Sequence, residues 1–464
     1  MKNLFSLIFI TLLIPSFAQE IIGSWQGDLK VQGIELRLVF NIKKSADGYQ
    51  STMDSPDQGA KDLPVSSTAF EGDKLTISMP NMGIEYKATL VKSTELEGTF
   101  KQGGQSFPMN MSKKEAEEAI IKKSQEPVPP FTYYSEKVTF TNTIDNVTLS
   151  GTLTLPKKKG NFPVVVLISG SGPQNRDSEL LGHKPFLVIS DYLTKNGIGV
   201  LRFDDRGTAK STGDFSSATS FDFSKDLEAA VNYLLTRKEV NKDQIGLIGH
   251  SEGGLIAPMV AARNKSISYL VLLAAPGQNG EELLLTQQEL IGKASGISDE
   301  ELVKSKAINQ KIFKLIKQSS DHEKLKSDIQ LILEESLKNT AESELPNGMK
   351  KSEYISLQIA QLTSPWTIFF IKSNPSENLA KVTCPVLALN GEKDLQVAPT
   401  ENIEDIQKAI KAGSNSELTT KIYPDLNHLF QHATTGSPSE YAAIEETFSE
   451  EVMKDVLEWI KELK

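Results

Sequence analysis

The second half of the chain contains unbroken apolar runs, and these runs constrain the fold more than any other feature of the sequence. Residues 164–168 read Val-Val-Val-Leu-Ile, and helix-length segments separate this run from the ones that follow. A strand that helices cover on both faces has no polar side, so its residues do not alternate. The sequence therefore predicts one large, mostly parallel α/β sheet with strands at 136–142, 147–155, 163–169, 198–203, 244–249, 269–274, 385–390 and 418–423.

The N-terminal part of the chain has a different pattern. Residues 35–40 and 74–79 alternate apolar with polar side chains, and the turn signal Asp47-Gly48 follows the first of these runs. Such runs predict an all-β domain of roughly six to eight strands in residues 19–112. A sandwich and a barrel both stay open, because packing a sheet and closing it hide strand edges equally well. The domain could bind a ligand, mediate a homodimer or cover an apolar face.

A linker separates this small domain from the sheet. Residues 113–134 begin with a charged, helix-compatible stretch and continue into the stiff segment Pro-Val-Pro-Pro at 127–130. We place the domain boundary here. The α/β domain then occupies residues 135–464.

The chain makes a long excursion between the strands predicted at 269–274 and 385–390. Its apolar residues recur at helical spacing, and Ser298 with Glu301 forms a capping box for one of its helices. Such an excursion is either a helical cap over the carboxyl ends of the strands or a plain structural insertion. We favour a cap at about residues 278–380, because this edge of an α/β sheet carries the functional loops.

Residues 1–18 have the pattern of a secretory signal peptide. Lys2 precedes the apolar run 4–14, and small residues with Ala18 as the last lie where a signal peptidase reads the chain. The run is too short for a membrane-spanning helix, which needs about 20 apolar residues. We therefore expect cleavage after Ala18, a secreted or periplasmic mature protein, and no stable membrane anchor.

Charge and cysteine content exclude several classes of function. The net charge is −10, and the lysines are spread among acidic residues, so the phosphate backbone of a nucleic acid would be repelled. Cys384 is the only cysteine, which excludes a disulfide scaffold and a cysteine-based metal site within one chain. We expect neither a metal nor a cofactor.

One motif carries a strong chemical signal. Residues 249–253 read Gly-His-Ser-Glu-Gly and lie between a predicted strand and a segment suited to a helix. A serine on such a sharp turn projects its hydroxyl beyond the carboxyl end of the sheet, and the flanking glycines tolerate the strain. The sequence predicts Ser251 as a nucleophile; the alternative is a tight turn that merely needs glycine.

A serine hydroxyl needs a neutral imidazole to take its proton and a carboxylate to orient that imidazole. In this class of fold the acid and then the histidine follow the serine along the chain. His428, in a loop after the last predicted strand, is favoured as the base over His432. Asp394, directly after an apolar strand, is favoured as the acid, with Glu392 and Asp425 as rivals.

Acyl transfer also requires N–H donors at the position of the oxyanion. The backbone N–H of Glu252 is one predicted donor. The other should come from the loop after the strand at 163–169, where small residues let the backbone approach a substrate. The N–H of Ser171 is favoured there, with that of Gly172 as the alternative.

Three further segments carry a family resemblance: Ser-Gly-Ser-Gly-Pro-Gln-Asn-Arg-Asp at 169–177, Phe-Asp-Asp-Arg-Gly-Thr-Ala-Lys-Ser at 203–211, and Ser-Pro-Trp at 364–366. With the spacing of the predicted triad, they resemble the α/β-hydrolase superfamily over about residues 135–464. More narrowly, they look like bacterial capped carboxylesterases of the acyl-ester type. In that group the first two segments commonly read H-G-S-G-P-x-x-R-D and D-D-R-G-x-G-K-S.

The sequence departs from these two motifs at two positions. Ser169 replaces the histidine, and Ala209 replaces a glycine. Neither change removes a member of the triad. The resemblance implies that Arg176 and Arg206 brace loops around the site.

The resemblance also suggests a place for two aromatic residues. Trp366 and Phe369 would line an acyl or alcohol pocket beneath the cap, and simple core packing is the alternative. These features together predict two-step hydrolysis of a small or medium-sized carboxylic ester through an acyl-enzyme on Ser251. A peptidase or amidase of the same fold stays open, as does a non-catalytic ligand-binding protein on a hydrolase scaffold.

Overall fold

The computed structural model describes residues 21–463, except residues 32–33, 46–47, 59, 103–104, 114–122, 343–344, 346–349, 414 and 416. The predicted signal peptide therefore lies outside the described residues. Most of the charged start of the predicted linker lies outside them as well.

The N-terminal domain is an antiparallel β-barrel. Its strands are β1 (Gly23–Val31), β2 (Ile34–Ser45), β3 (Gly48–Ser55), β4 (Ala60–Pro64), β5 (Ser67–Glu71), β6 (Lys74–Met79), β7 (Ile84–Lys92), β8 (Glu95–Gln102), β9 (Gln105–Pro108) and β10 (Met111–Lys113). The short strand β10 pairs with both β1 and β8 and so closes a ring of eight strands, while β4 and β9 pair outside that ring. Of the two architectures that the sequence left open, the structure has the barrel.

Alternation along the strands fills the interior of the barrel. Leu75, Ile77 and Met79 of β6 are buried, and the residues between them are less so. Trp25 is fully buried, and its indole N–H donates to the carbonyl oxygen of Ile21 at 2.7 Å. Because the ring is closed, each of its strands has a paired neighbour on both sides.

The second domain is built on an eight-stranded sheet. Its strands are β11 (Tyr134–Asn142), β12 (Val147–Leu155), β13 (Phe162–Ile168), β14 (Gly199–Phe203), β15 (Val240–His250), β16 (Ile267–Leu273), β17 (Val386–Gly391) and β18 (Leu418–Tyr423). Their order is β11-β12-β14-β13-β15-β16-β17-β18. β12 is antiparallel to both of its neighbours, and the other neighbouring strands are parallel. Each predicted strand overlaps an observed one, and the fold prediction is confirmed.

The helices of this domain are α1 (Pro185–Lys195), α2 (Ser220–Thr236), α3 (Glu252–Ala261), α4 (Gly280–Ala294), α5 (Asp299–Gln318), α6 (His322–Ser336), α7 (Lys351–Leu362), α8 (Pro365–Lys372), α9 (Ser376–Leu379), α10 (Pro399–Ala412) and α11 (Glu450–Glu462). Five of these helices, α1, α2, α3, α10 and α11, cover the sheet on its two faces. Val164 and Val166 of β13 pack towards α2, α3 and α10, while Val165 and Leu167 pack towards α1 and α11. Burial on both faces explains why these strands read as unbroken apolar runs.

Helices α4 to α9 lie between β16 and β17 and form the cap. The cap has its own apolar core, in which Ile312 and Ile316 of α5 pack with Ile329 of α6. The predicted capping box is confirmed, since the side chains of Ser298 and Glu301 each accept from the backbone N–H of the other. No helix in the described part of the chain is long and apolar enough to cross a membrane.

Candidate active site

Ser251 lies on a strained turn between β15 and α3. Its backbone angles are φ 53° and ψ −122°, a conformation that a residue with a side chain rarely adopts. Hydrogen bonds hold the turn on both sides: the N–H of Ser251 donates to the carbonyl of Leu273 at 2.9 Å, and its carbonyl accepts from the N–H of Gly254 at 2.8 Å. The turn therefore has the geometry of a nucleophile elbow.

The glycines of this motif are required by close backbone contacts. A Cβ atom on Gly253 would lie 2.2 Å from the carbonyl oxygen of Ile168, and one on Gly249 would lie 2.2 Å from that of Gly253. Backbone atoms at these distances cannot move aside without shifting a central strand. Helix α3 can thus begin directly against β13 only because these positions lack side chains.

Asp394 and His428 are brought together by the ends of two neighbouring strands. Asp394 follows β17 and His428 follows β18, and their side chains meet with 2.8 Å between the Asp394 Oδ2 and the His428 Nδ1. The other carboxylate oxygen, Oδ1, accepts from the backbone N–H groups of Gln396 and Val397 at 2.8 and 2.9 Å. Because a carboxylate can only accept, His428 carries its proton on Nδ1 and keeps Nε2 as a base.

Ser251 and His428 line the same cavity, which has a volume of about 100 Å³. Its other lining residues, which include two further histidines, are Gly170, Ser171, Gln174, Ser178, Leu180, His183, Pro185, Phe186, Ile189, His250, Leu273, Gln396, Leu429, Thr447 and Phe448. Among the described residues that line this cavity, none is Asp, Glu, Lys or Arg.

The two additional histidines are held in the neutral form. Burial, and to a smaller extent the nearby His428, lowers the pKa of His250 to about 3. The Nε2–H of His250 donates to the carbonyl oxygen of His428 at 2.8 Å. Burial also lowers the pKa of His183, whose two ring nitrogens lie within hydrogen-bond distance of Thr447 and Tyr441. These two histidines therefore add no charge to the cavity wall near neutral pH.

The predicted oxyanion donors lie next to the nucleophile. Glu252 is the first residue of α3, where backbone N–H groups have no partner within the helix. Gly170 and Ser171 line the cavity, and a Cβ atom on Gly170 would lie 3.1 Å from the Cβ atom of Ser251. The loop of residues 170–173, here called the oxyanion loop, thus approaches the serine closely.

The side chain of Glu252 ties the cap to the elbow. Its Oε1 accepts from the hydroxyl of Ser220, at the start of α2, at 2.6 Å. The same atom accepts from the indole N–H of Trp366, in cap helix α8, at 2.8 Å. Burial raises the pKa of Glu252. A carboxyl group next to the nucleophile therefore depends on one donor from the core and one from the cap.

The structure places the two predicted pocket aromatics outside the lining of the cavity at Ser251, as far as the described residues go. Trp366 and Phe369 pack instead around an apolar cluster that includes Leu255 and Met259 of α3. The Trp366 ring also stacks on Phe370 at 4.9 Å between centroids. Their role in an acyl or alcohol pocket stays a prediction.

The rival acids and bases lie in other surroundings. His432 is largely exposed, and its Nδ1 pairs with Glu446. Asp425 is exposed and pairs with Lys393 at 2.7 Å. Glu392 accepts from the backbone N–H of Asp425, at 3.4 Å. None of these pairs includes a residue that lines the cavity at Ser251.

Arg176 and Arg206 hold loops near the sheet edge. Arg176 donates to both carboxylate oxygens of Asp204, at 2.9 and 2.6 Å. Arg206 donates to both oxygens of Asp226, at 2.8 and 2.7 Å, and to Asp145 at 2.9 Å. These contacts are consistent with the bracing role that the resemblance implies.

Sequence reasoning missed part of the cavity wall. Thr447 and Phe448 line the cavity and are held by Gln125, whose side-chain oxygen accepts from both of their N–H groups at 2.6 and 3.0 Å. Contacts between such distant segments leave no local pattern. His250 was missed as well, although its place in the Gly-His-Ser-Glu-Gly motif beside the nucleophile could have indicated it.

No group of three or more His, Cys, Asp and Glu side chains in the described ranges is arranged to hold a metal ion.

Two curated proteins match parts of this chain. The chain is 27% identical over 287 residues to esterase EstD of Thermotoga maritima, which covers 61% of this chain and 58% of EstD, so the match spans little more than half of that relative. It is 30% identical over 138 residues to an uncharacterized protein of Pseudomonas aeruginosa, covering 29% of this chain and 35% of that protein.

Among solved structures, an esterase of Pyrococcus furiosus is similar with a TM-score of 0.44 and 19% identity, covering 73% of this chain and 96% of that one. The profile of the Hydrolase_4 family, described as serine aminopeptidase S33, matches residues 185–433. This match spans more than half of the sequence, and the chain therefore belongs to that family of α/β-hydrolases.

Proposed function

We propose that the protein hydrolyses uncharged carboxylic esters through an acyl-enzyme on Ser251. One observation carries this proposal: the strained elbow places Ser251 in the same cavity as His428, whose Nδ1 is bound to Asp394 at 2.8 Å. Strain of this kind is costly, at about 1–3 kcal/mol, and is typically retained where function needs it. A turn that merely connects a strand to a helix does not need a buried His–Asp pair beside it.

The first chemical step forms the acyl-enzyme. The Ser251 Oγ attacks the ester carbonyl carbon while its proton passes to the Nε2 of His428, and the carbonyl oxygen becomes an oxyanion. The N–H groups of Glu252 and Ser171 stabilise that oxyanion. When the carbon–oxygen bond of the ester breaks, His428 returns the proton to the leaving alcohol.

The second step releases the acid. A water molecule gives its proton to the Nε2 of His428 and attacks the acyl carbon, forming a second oxyanion at the same donors. The bond to the Ser251 Oγ then breaks, and the serine regains its proton from His428. Both steps use only side chains and backbone of this chain.

A peptidase is the second candidate, because the matched family is described as serine aminopeptidase. An aminopeptidase must accommodate the protonated α-amine of its substrate close to the scissile bond. The described residues that line the cavity include no carboxylate that could pair with an ammonium group, and its two additional histidines are neutral. Burying an unpaired charge is expensive, so the uncharged wall favours a neutral substrate.

We further propose that the protein acts outside the cytoplasm, on the basis of the signal-peptide pattern in residues 1–18. Fractionation of the native host with an antibody tests this proposal. Recovery of the unprocessed chain in the cytoplasm would contradict it.

Fluorophosphonate labelling tests the nucleophile. We expect the folded protein to bind the probe covalently and Ser251→Ala to lose both labelling and ester turnover. Ser190→Ala is the matched control, because Ser190 is a buried serine of α1 that does not line the cavity. Folded protein that is not labelled would contradict the mechanism and favour a non-catalytic ligand-binding protein.

Two substrate pairs test the preference for uncharged esters. The first compares p-nitrophenyl butyrate with the p-nitrophenyl ester of β-alanine, which has a similar acyl length but an ammonium group. The second compares acetyl-alanine p-nitroanilide with alanine p-nitroanilide. We expect the neutral member of the first pair to be hydrolysed with the higher kcat/KM. Faster cleavage of alanine p-nitroanilide than of its acetylated form would identify an aminopeptidase instead.

A further inference from the structure

Both ends of the oxyanion loop are held by one acidic residue. Asp205 follows β14, the strand next to β13, so its carboxyl group lies at the sheet edge from which the loop departs. Its Oδ1 accepts from the hydroxyl of Ser169 at 2.8 Å. Its Oδ2 accepts from the backbone N–H of Gln174 at 2.9 Å. Ser169 directly precedes residues 170–173, and Gln174 directly follows them.

A third hydrogen bond ties the backbones together. The N–H of Asp205 donates to the carbonyl oxygen of Gln174 at 3.1 Å. The end of the oxyanion loop is therefore fixed through the side chain and the main chain of Asp205, and its start through the side chain alone. Within residues 170–173, Gly170 and Ser171 line the cavity at the nucleophile, so any shift of the loop ends moves the candidate donors.

A small cavity beside Asp205 is lined mainly by apolar residues. Ile168, Phe203, Phe223 and Ile256 line it, together with Ser169, Gly170 and Asp226. Burial raises the pKa of Asp205 to about 8, whereas its two hydrogen-bond donors favour the carboxylate. When Asp205 is protonated, its Oδ1 can donate to the hydroxyl oxygen of Ser169, which can accept as well as donate. Its Oδ2 can still accept from the N–H of Gln174. The two side-chain contacts are therefore compatible with either protonation state.

We propose that Asp205 is a positioning residue for acyl transfer: it fixes both ends of the oxyanion loop so that the backbone N–H groups of this loop point at the oxyanion formed on Ser251. This inference rests on the proposed function. It also gives Ser169 a role, since the hydroxyl at this position is the group through which Asp205 holds the start of the loop.

Substitution of Asp205 separates positioning from a purely structural role. Asp205→Ala removes both side-chain contacts, and we expect kcat to fall by about 10²-fold, the typical cost of losing one oxyanion donor, with KM nearly unchanged. Asp205→Asn should retain kcat within about tenfold, because its amide can accept from Gln174 and donate to the hydroxyl of Ser169. Ser169→Ala, which removes one contact, should give an intermediate loss.

A transition-state analogue provides the readout that a structural role would not change. A trifluoromethyl ketone forms a hemiketal oxyanion on the serine, so its affinity for Asp205→Ala should fall by the same factor as kcat. Asp57→Asn is the matched control, because Asp57 is a buried carboxylate of the N-terminal domain that pairs with Arg37 and lines neither the cavity at Ser251 nor the one at Asp205. We expect this control to lower the melting temperature while leaving kcat and ketone affinity of the folded protein close to those of the wild type.

The outcomes are distinguishable. If wild-type protein is not labelled by a fluorophosphonate at Ser251, the proposed function itself fails. If the wild type is active but Asp205→Ala and Ser169→Ala both keep kcat and ketone affinity within about threefold, the positioning role is wrong. A loss in Asp205→Ala that appears only in KM would equally overturn it. Ser169→Ala keeps the test available if Asp205→Ala does not fold, because it deletes a single oxygen atom.

Discussion

Replacing Asp394 by asparagine should leave the Nε2 of His428 unable to accept a proton, without changing the shape of the site. The Oδ1 of Asp394 accepts from two backbone N–H groups, those of Gln396 and Val397, at 2.8 and 2.9 Å. In Asp394→Asn the amide oxygen must take this position, because an amide nitrogen there would face two donors. The NH₂ group then faces the Nδ1 of His428, which has to accept. The proton of the imidazole consequently moves to Nε2.

A histidine with its proton on Nε2 cannot take a proton from Ser251. Loss of the correct tautomer in a Ser-His-Asp triad typically lowers kcat by about 10⁴-fold, which corresponds to about 5.4 kcal/mol in the activation free energy. Because the side chains of Asp394 and His428 are both almost completely buried, no water molecule from bulk solvent is available to replace the lost interaction. We therefore expect the full effect in this protein.

The assay measures kcat and KM for p-nitrophenyl butyrate with purified wild type and Asp394→Asn, with circular dichroism and thermal unfolding as controls for folding. The exposed rival Asp425 provides the comparison variant, and Asp425→Asn should keep kcat close to that of the wild type. A loss of less than about tenfold in folded Asp394→Asn would refute the assignment of the acid. Equal losses in the two variants would refute the reasoning from the hydrogen bonds of Asp394.

Three further predictions concern the elbow and its neighbours. Gly253→Ala should lower the free energy of unfolding by about 3 kcal/mol or more, because the new Cβ atom would lie 2.2 Å from the backbone oxygen of Ile168. Urea unfolding measures this loss, and stability close to that of the wild type would contradict the prediction. Trp366→Phe should cost about 1–3 kcal/mol, because the buried carboxyl of Glu252 loses one of its two donors; calorimetry checks it. His250 binds a proton below about pH 6.5 in the unfolded chain, whereas in the folded protein it does so only near pH 3. The free energy of unfolding should therefore fall by up to about 1.4 kcal/mol per pH unit as the pH decreases through this interval. Urea unfolding at several pH values measures this slope, which should be smaller for His250→Gln.

The sequence predicted the α/β sheet well because each buried strand is encoded locally. In β13, for example, neighbouring valines pack on opposite faces of the sheet, and both faces are covered by helices. An unbroken apolar run is the direct result of that arrangement. The positions of Ser251, Asp394 and His428 after strands of the sheet could be predicted for the same reason, since each of these strands is recognisable in the sequence.

Closure of the barrel could not be predicted in this way. It depends on β10, a strand of three residues, Met111–Lys113, that pairs with β1 on one side and β8 on the other. Nothing in three residues reveals that they pair with β1, at the other end of the domain, as well as with β8. The alternation of the longer strands is equally compatible with a sandwich, which is why both architectures remained open.

The wall of the cavity was unpredictable for a related reason. Thr447 and Phe448 come after the histidine loop, and Gln125, which holds them, precedes the whole α/β domain. The oxyanion loop depends in the same way on Asp205, which comes from the following strand. Both sets of contacts join segments that are distant in the sequence and show no periodic pattern. They can therefore be recognised only in the folded structure.

The carboxyl group of Glu252 connects the cap to the residue that follows Ser251. A buried carboxyl group without partners is strongly unfavourable, so the fold must supply donors to it. One comes from Ser220 in the core and the other from Trp366 in the cap, and both reach the same oxygen. The residue that they stabilise follows the nucleophile directly and begins α3. A displacement of α8 would therefore remove one of the two donors of Glu252, the residue directly after Ser251.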